Sequence, residues 1–153
     1  MVTGPQISLK NISLAFGEEP VFDKLNLIIH PRDRIALVGR NGSGKSTLLK
    51  ILKGLVAQDG GERMLSKGLS IGYMEQDPNL SKFSTLHDYV YAGASDSTFH
   101  LIEMAGKNLG VDLEVSTSAS SGGERRRAAL AKLIAGNHDV MLLDEPTNHL
   151  DII

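Results

Sequence analysis

The feature that most constrains this chain is a run of eight residues, 39–46, reading Gly-Arg-Asn-Gly-Ser-Gly-Lys-Ser. Gly39, Gly42 and Gly44 let the backbone turn so tightly that consecutive N–H groups converge on one point, a geometry suited to an anion. An apolar run, 35–38, leads into it, and Lys45–Lys53 leads out with apolar residues at Leu48, Leu49, Ile51 and Leu52. That spacing predicts a helix ended by Gly54. The run 35–38 predicts a short strand of the kind buried in the middle of a parallel sheet. A strand, a glycine-rich loop and a helix, in that order, bring the positive end of a helix dipole to a bound phosphate. The pattern G-x-x-x-x-G-K-[ST] arises by chance in roughly one random chain of this length in 200. The phosphate-cradle reading is therefore retained, with Lys45 reaching β- and γ-phosphates and the Ser46 hydroxyl able to ligate Mg²⁺.

A second constraint lies near the other end. Val140–Leu143 is an apolar run followed directly by Asp144, Glu145 and Pro146. In open α/β sheets the chemistry gathers at the carboxyl ends of strands, where these two acids stand. Asp144 can hold Mg²⁺, directly or through its water, while Glu145 points differently and can accept a proton from an attacking water. Alone, such a pair is more often a surface turn. Beside the phosphate loop it reads as the acidic half of a nucleotide site.

Between and around these motifs the pattern is mixed. Residues 6–16 alternate apolar and polar with one slip of register near Asn11, which predicts a bulged strand. Residues 17–20 read as a turn and 25–29 as a second strand, giving an antiparallel start. Pro31, Arg32 and Asp33 form a turn, as do Asp59, Gly60 and Gly61, and 69–74 reads as a strand. Helices are expected at Leu86–Tyr91, at 101–109 ended by Gly110, and at 124–135, with 97–100 ambiguous. The order is a β hairpin, a β–loop–α unit, a helical insert and an α–β unit, an α/β layout.

Composition sets the outer bounds. A length of 153 residues suits one domain, and 41% hydrophobic with 22% charged residues is ordinary for a globular protein. With no cysteine, disulfides and thiolate metal sites are excluded, which fits a reducing cytosol. A net charge of −2 excludes a bulk nucleic-acid binder. No apolar run is long enough to span a bilayer, and residues 1–10 lack the pattern of a signal peptide.

Taken together, these residues resemble the ABC ATPase family. Ser121, Gly122, Gly123 and Glu124, opening the helix that runs on through Arg125, Arg126 and Arg127, look like the ABC signature. The segment 146–151 looks like the D-loop, Gln76 like the Q-loop glutamine, though a polar turn residue is its alternative, and Phe16 sits where an aromatic stacks on adenine, with plain core as an equal reading. Gly-Glu-Arg-Arg-Arg followed by Asp-Glu-Pro-Thr-Asn-His-Leu-Asp is most similar to the ABC-F subfamily, whose members carry two ABC domains and are associated with ribosomes or nucleic acid.

The resemblance implies a P-loop NTPase core with an N-terminal antiparallel β subdomain (1–30), a core to the Q-loop (31–78), a shortened helical insert (79–120), and the signature, acidic strand and D-loop (121–153). It implies ATP contacts from Phe16, Gly39, Arg40, Asn41, Gly42, Ser43, Gly44, Lys45, Ser46 and Thr47. Mg²⁺ would be held by Ser46, Gln76 and Asp144, and catalysis carried by Glu145, Lys45 and Gln76. Residues 121–124 would close on the ATP of a second ABC domain, so that each site is shared.

Three departures qualify this. Ser120 stands where the signature usually has Leu. The insert is short, which predicts that Leu101, Ile102 and Leu109 lack apolar partners. The sequence ends at Ile153, before the strand and switch histidine that the family pattern continues with. The two central strands, 35–38 and Val140–Leu143, are thus expected to pair differently, to receive a strand from another chain, or to leave the domain marginal. Four readings stay open: an ATPase, a nucleotide-dependent binding module without turnover, a remnant of a split gene, and a transporter ATP-binding subunit. Arg125, Arg126 and Arg127 are read as a solvated helix face, with contact to a partner domain or RNA as the alternative. His30, His87, His100 and His138 receive no role, and His149 at most a D-loop contact.

Overall fold

The computed structural model describes residues 4–145, so the D-loop segment, including Pro146 and His149, lies outside the described residues. The chain forms two compact units that divide between Ile71 and Gly72.

The first unit is built around β1 (Ile7–Phe16), the middle strand of a three-stranded sheet flanked by β2 (Glu19–Ile29) and β3 (Gly60–Leu65), both antiparallel to it. Ile7, Leu9, Ile12 and Leu14 are buried although their spacing changes phase. The register breaks between Leu9 and Ile12, where Asn11 takes a φ of 50° and its N–H donates to Asn26 Oδ1 at 2.9 Å. One extra residue at the bulge returns Ile12 and Leu14 to the face already occupied by Ile7 and Leu9. The expected register slip is thus a working part of the sheet. Gly17 and Glu18 alone make the hairpin turn, so β2 starts six residues before the expected 25.

β3 was not expected, because Asp59, Gly60 and Gly61 read as a turn and Gly60–Leu65 has no apolar alternation. Its signal is absent because it is an edge strand whose Met64 and Leu65 stay exposed. It forms because β1 has a second edge to satisfy. Gly61 has a φ of 90°, and the Asn11 carbonyl lies where a Cβ would sit. α1 (Lys45–Lys53) has the expected bounds, with Leu48, Leu49, Ile51 and Leu52 buried and Gly54 in the left-handed conformation closing it. Lys53 Nζ donates to the Ile71 carbonyl and Arg63 Nη2 to the Leu52 carbonyl.

The stretch 35–38 departs from expectation. It forms no strand, Ile35 is exposed, and Val38 is 95% exposed. An apolar run becomes a central strand only where neighbours on both edges take its N–H and C=O groups, and no described strand pairs with it.

In the second unit β4 (Ile71–Met74) pairs with β5 (Val140–Leu143), and the Asp144 N–H donates to the Met74 carbonyl at 3.1 Å. β5 has the expected bounds, but Met141 is exposed, so it is not the wholly buried strand its composition suggests. Three helices accompany the pair: α2 (Leu86–Tyr91), α3 (Asp96–Asn108) and α4 (Gly122–Ala135). α3 begins well before the expected 101 and takes in 97–100. Ser95 precedes it at the N-cap position and Asp96 supplies an acid to the first turn, a start that periodicity alone does not display. Leu80, Leu86, Val90, Ile102, Ala128 and Ala135 form one core, packed by Leu101, Val111, Leu113 and Val115.

The expectation that a short insert strands Ile102 is therefore wrong. Ile102 is 2% exposed, and Leu101 packs against the same cluster, because α2, α4 and the segment after α3 supply the partners. Ile102→Ala should lower unfolding free energy by about 2–5 kcal/mol, read from the urea midpoint at constant slope; no shift would mean that this core does not hold the helices.

Candidate functional site

In the first unit the loop 39–46 wraps around the head of α1. Gly42 and Gly44 have φ of 80° and 94°, and the Ser43 N–H closes a turn on the Arg40 carbonyl at 3.1 Å. A Cβ on Gly44 would come 2.7 Å from Val21 Cγ1 and 3.1 Å from Phe22 Cζ, so only glycine fits both the space and the backbone. Gly44 is also the N-cap of α1 and has no side chain to bond the first-turn N–H groups. That helix end keeps its donors for something else.

The Lys45 ammonium donates to the carbonyls of Gly39 and Arg40, at 2.7 and 2.9 Å. It thus folds back onto the loop, a cation held by two of its carbonyls. Arg40, Asn41 and Ser43 are exposed, and Ser46 and Thr47 half-buried in the first turn. These groups suit a polyphosphate: glycine-permitted backbone, uncapped helix N-terminus and an ammonium within the same loop. Phe16 ends β1 and is 58% exposed, which removes the reading of it as core and leaves its ring face available for stacking.

In the second unit the acidic strand end is close to Gln76. Asp144 is buried and Glu145 half-buried, and Gln76 Nε2 donates to Glu145 Oε2 at 2.9 Å. Gln76 is thus more than a polar turn residue, since it meets a carboxylate 69 positions away. Burial pushes the Tyr73 hydroxyl up to about 12, with the carboxylates of Asp144 and then Glu75 adding to it. Tyr73 therefore stays protonated and neutral beside the acids.

Sequence reasoning missed Arg126. It is not part of a solvated face but 5% exposed, and its Nη2 donates to the Asp144 carbonyl at 3.1 Å and to the Glu145 carbonyl. Within the arginine run only a 3.6-residue count of helix faces could have separated it, since it shares the buried face of Ala129 and Leu133. Arg125 is half-buried, with Nε donating to Ser120 Oγ at 3.0 Å and Nη2 to the Thr117 carbonyl at 3.1 Å. Ser120, buried where Leu is usual, bonds in turn to the Thr117 carbonyl at 2.7 Å, so the polar residue is satisfied.

At the head of α4, Ser121 and Glu124 form a reciprocal capping box. The Ser121 N–H donates to Glu124 Oε2 at 2.7 Å, and the Glu124 N–H donates to Ser121 Oγ at 3.2 Å. The Ser121 N–H, and after it the Ser121 hydroxyl, hold the Glu124 carboxyl below its ordinary value, with a smaller contribution from Arg127. Gly122 and Gly123, inside the box, form the first two residues of the helix.

The fold and the loop define a nucleotide-binding protein of the P-loop class. The chain belongs to the ABC transporter family, whose model matches residues 22–148, and it is an ABC ATP-binding domain. It is 48% identical over 149 residues to ATP-binding protein Uup of Caulobacter vibrioides, a match covering 97% of this chain and 24% of that protein. ATP-binding protein Uup of Haemophilus influenzae is 36% identical over 186 residues, covering 95% of this chain and 29% of that protein. Energy-dependent translational throttle protein EttA of Mycobacterium tuberculosis is 32% identical over 185 residues, covering 94% and 33%. Among solved structures, a metal-chelate type ABC transporter in an inward-facing conformation matches 97% of this chain and 63% of that chain with a TM-score of 0.77 and 28% identity.

The chain thus spans about a quarter to a third of the length of these curated relatives. Among the described residues no helix is long and apolar enough to cross a membrane.

Glu124 titrates low in the folded protein, so its contribution to stability is complete above its ordinary value of 4.5 and is lost as pH falls through the folded value. Ser121→Ala removes the hydroxyl half of the box and leaves the backbone N–H of position 121 in place. Its Glu124 carboxyl resonance should titrate at higher pH than in the wild type, and the acid side of the stability profile should flatten. An unchanged titration would mean that the Ser121 hydroxyl does not hold the carboxyl in solution.

Proposed function

We propose that this domain binds ATP-Mg²⁺ and hydrolyses it at a site completed by the signature segment of a second ABC domain, in a cytoplasmic protein of ABC-F type. The observation that carries the hydrolytic part is the Gln76–Glu145 hydrogen bond at the end of the acidic strand, beside buried Asp144. A carboxylate held by a side-chain amide at a strand's carboxyl end is a suitable general base for a water molecule. Gly39, Arg40, Asn41, Gly42, Ser43, Gly44 and Thr47 supply the phosphate cradle, Lys45 neutralises charge on the transferred phosphoryl group, and Phe16 stacks on the adenine.

The described residues hold no group of three or more acidic or imidazole ligands suited to a metal ion. The resemblance assigns Mg²⁺ to Ser46, Gln76 and Asp144, which would hold it together with phosphate oxygens and water, as this small hard cation commonly is. Its chemistry there is to neutralise the charge on the phosphates. The residues 121–124 present a helix N-terminus to the ATP of the partner domain.

The relatives named as ATP-binding proteins and the relative named as a translational throttle support an ABC-F type role, linked to the ribosome or nucleic acid, over a transporter subunit. The family match runs through loop, signature and acidic strand alike, which supports a working domain over a remnant.

Calorimetry and phosphate release test the reading together. Lys45→Ala should weaken ATP-Mg²⁺ binding at least about tenfold, the worth of a charge-assisted hydrogen bond. Glu145→Gln should keep the affinity and lower turnover by about 10²–10⁴. Binding without turnover in the wild type would instead support a nucleotide-dependent docking module, and no binding would sink the proposal.

A further inference from the structure

We propose that Arg126 is the positioning residue for Glu145, holding the general base in place from the signature helix. The proposal rests on the reading of Glu145 as base given above. Three observations meet at this point. The Asp144 N–H bonds to the Met74 carbonyl of β4 just after β5 ends at Leu143. Glu145 then takes a φ of 47°, in the left-handed region that a residue with a Cβ adopts only where its surroundings hold it. The guanidinium of Arg126 is what lies there, with one nitrogen donating to the carbonyls on both sides of that turn, those of Asp144 and Glu145.

The arrangement is a poor way to stabilise a fold for its own sake. Arg126 is buried, and its Nε–H has no hydrogen-bond partner among the described residues. A buried cation with an unmet donor carries a desolvation cost that an apolar side chain of the same size would avoid. What it supplies in return is direction. A planar guanidinium can hold two neighbouring carbonyls in a fixed relation, and a lysine ammonium on a flexible stem holds such a pair less rigidly.

The helix that carries Arg126 begins at the Ser121–Glu124 box. Ser121 and Arg126 stand on one rigid element, about a turn and a half apart. Whatever docks at the signature end of α4 therefore acts on the same body that orients Glu145. Gln76, which donates to the Glu145 carboxylate, fixes the other end of the same residue. Arg126 holds its backbone and Gln76 its side chain.

The test uses the complete protein carrying Arg126→Lys or Arg126→Met, each alone and with Glu145→Gln. If Arg126 acts through Glu145, turnover falls about a hundredfold in Arg126→Met, KM for ATP stays at the wild-type value, and Arg126→Lys recovers only part of the loss. In the Glu145→Gln background, Arg126→Met adds no further loss. Turnover like wild type in Arg126→Met, a loss that multiplies with Glu145→Gln, or KM rising in step with the fall would each overturn the proposal. If Arg126→Met does not fold, Arg126→Lys carries the same comparison. Failure of the hydrolysis reading shows separately, as Glu145→Gln turning over like wild type. In that event the ¹³Cα and carbonyl shifts of Glu145 decide: they leave left-handed values in Arg126→Met if Arg126 sets this turn, and unchanged shifts overturn it.

Discussion

Everything proposed for this domain depends on what its helices do with the N–H groups of their first turns, since those donors must bond to something. α2 and α4 close theirs locally. Thr85 with Asp88, and Ser121 with Glu124, form reciprocal boxes in which side chains satisfy two donors each. α1 does the opposite, with a glycine in the cap position and no acid in its first turn. A helix opening in that way leaves its first N–H groups open to water or to an anion, and Lys45 beside it adds a charge suited to a polyphosphate. The ABC signature lies between these cases. Its box satisfies the N–H groups of Ser121 and Glu124, while Gly122 and Gly123 keep the backbone bare of side chains at the helix tip.

The same demand for paired backbone groups explains which strands exist. β1 has two edges and both are filled, one by the long β2 and one by β3, a segment with almost no apolar signal of its own. The run 35–38 has the apolar signal and no ladder partner, and it is exposed. Partner availability decided both cases against composition. In the second unit β4 and β5 pair with one another, and the pairing ends where Asp144 bonds Met74, so both acids emerge at one strand end.

The legible parts of the sequence were those whose cause is local. The helix Lys45–Lys53 was read from spacing and from Gly54, and β5 from four apolar residues before two acids. The bulge at Asn11 showed as a phase slip because a buried face must stay in phase. The phosphate loop is legible for the same reason, as its glycines are needed by the backbone that carries them. What escaped was set by distant partners. The early start of α3 and the burial of Ile102 depend on α2, α4 and Leu113 packing around them. The hydrogen bond from Gln76 to Glu145 joins residues far apart in sequence, and only the family resemblance suggested that the two belong to one site.

The short helical insert is a second case: its apolar residues were expected to lack partners, yet Ile102 and Leu101 join a core that its own helices and α4 enclose. The match to the Caulobacter protein runs over 149 residues and takes in 97% of this chain, so it leaves little room for a large insertion on either side. The match to the Haemophilus protein runs over 186, more than the 153 residues of the whole chain, so that protein carries a segment within the matched span that this one lacks. The arginine run makes the complementary point. Arg125 satisfies Ser120 and Thr117, Arg126 turns inward to the acidic strand end, and Arg127 stays half-exposed near Glu124. One uniform stretch of charge thus divides among three tasks, because a helix turns each successive side chain by about 100°. Their identity in sequence says nothing of which one reaches the carbonyl oxygens of Asp144 and Glu145.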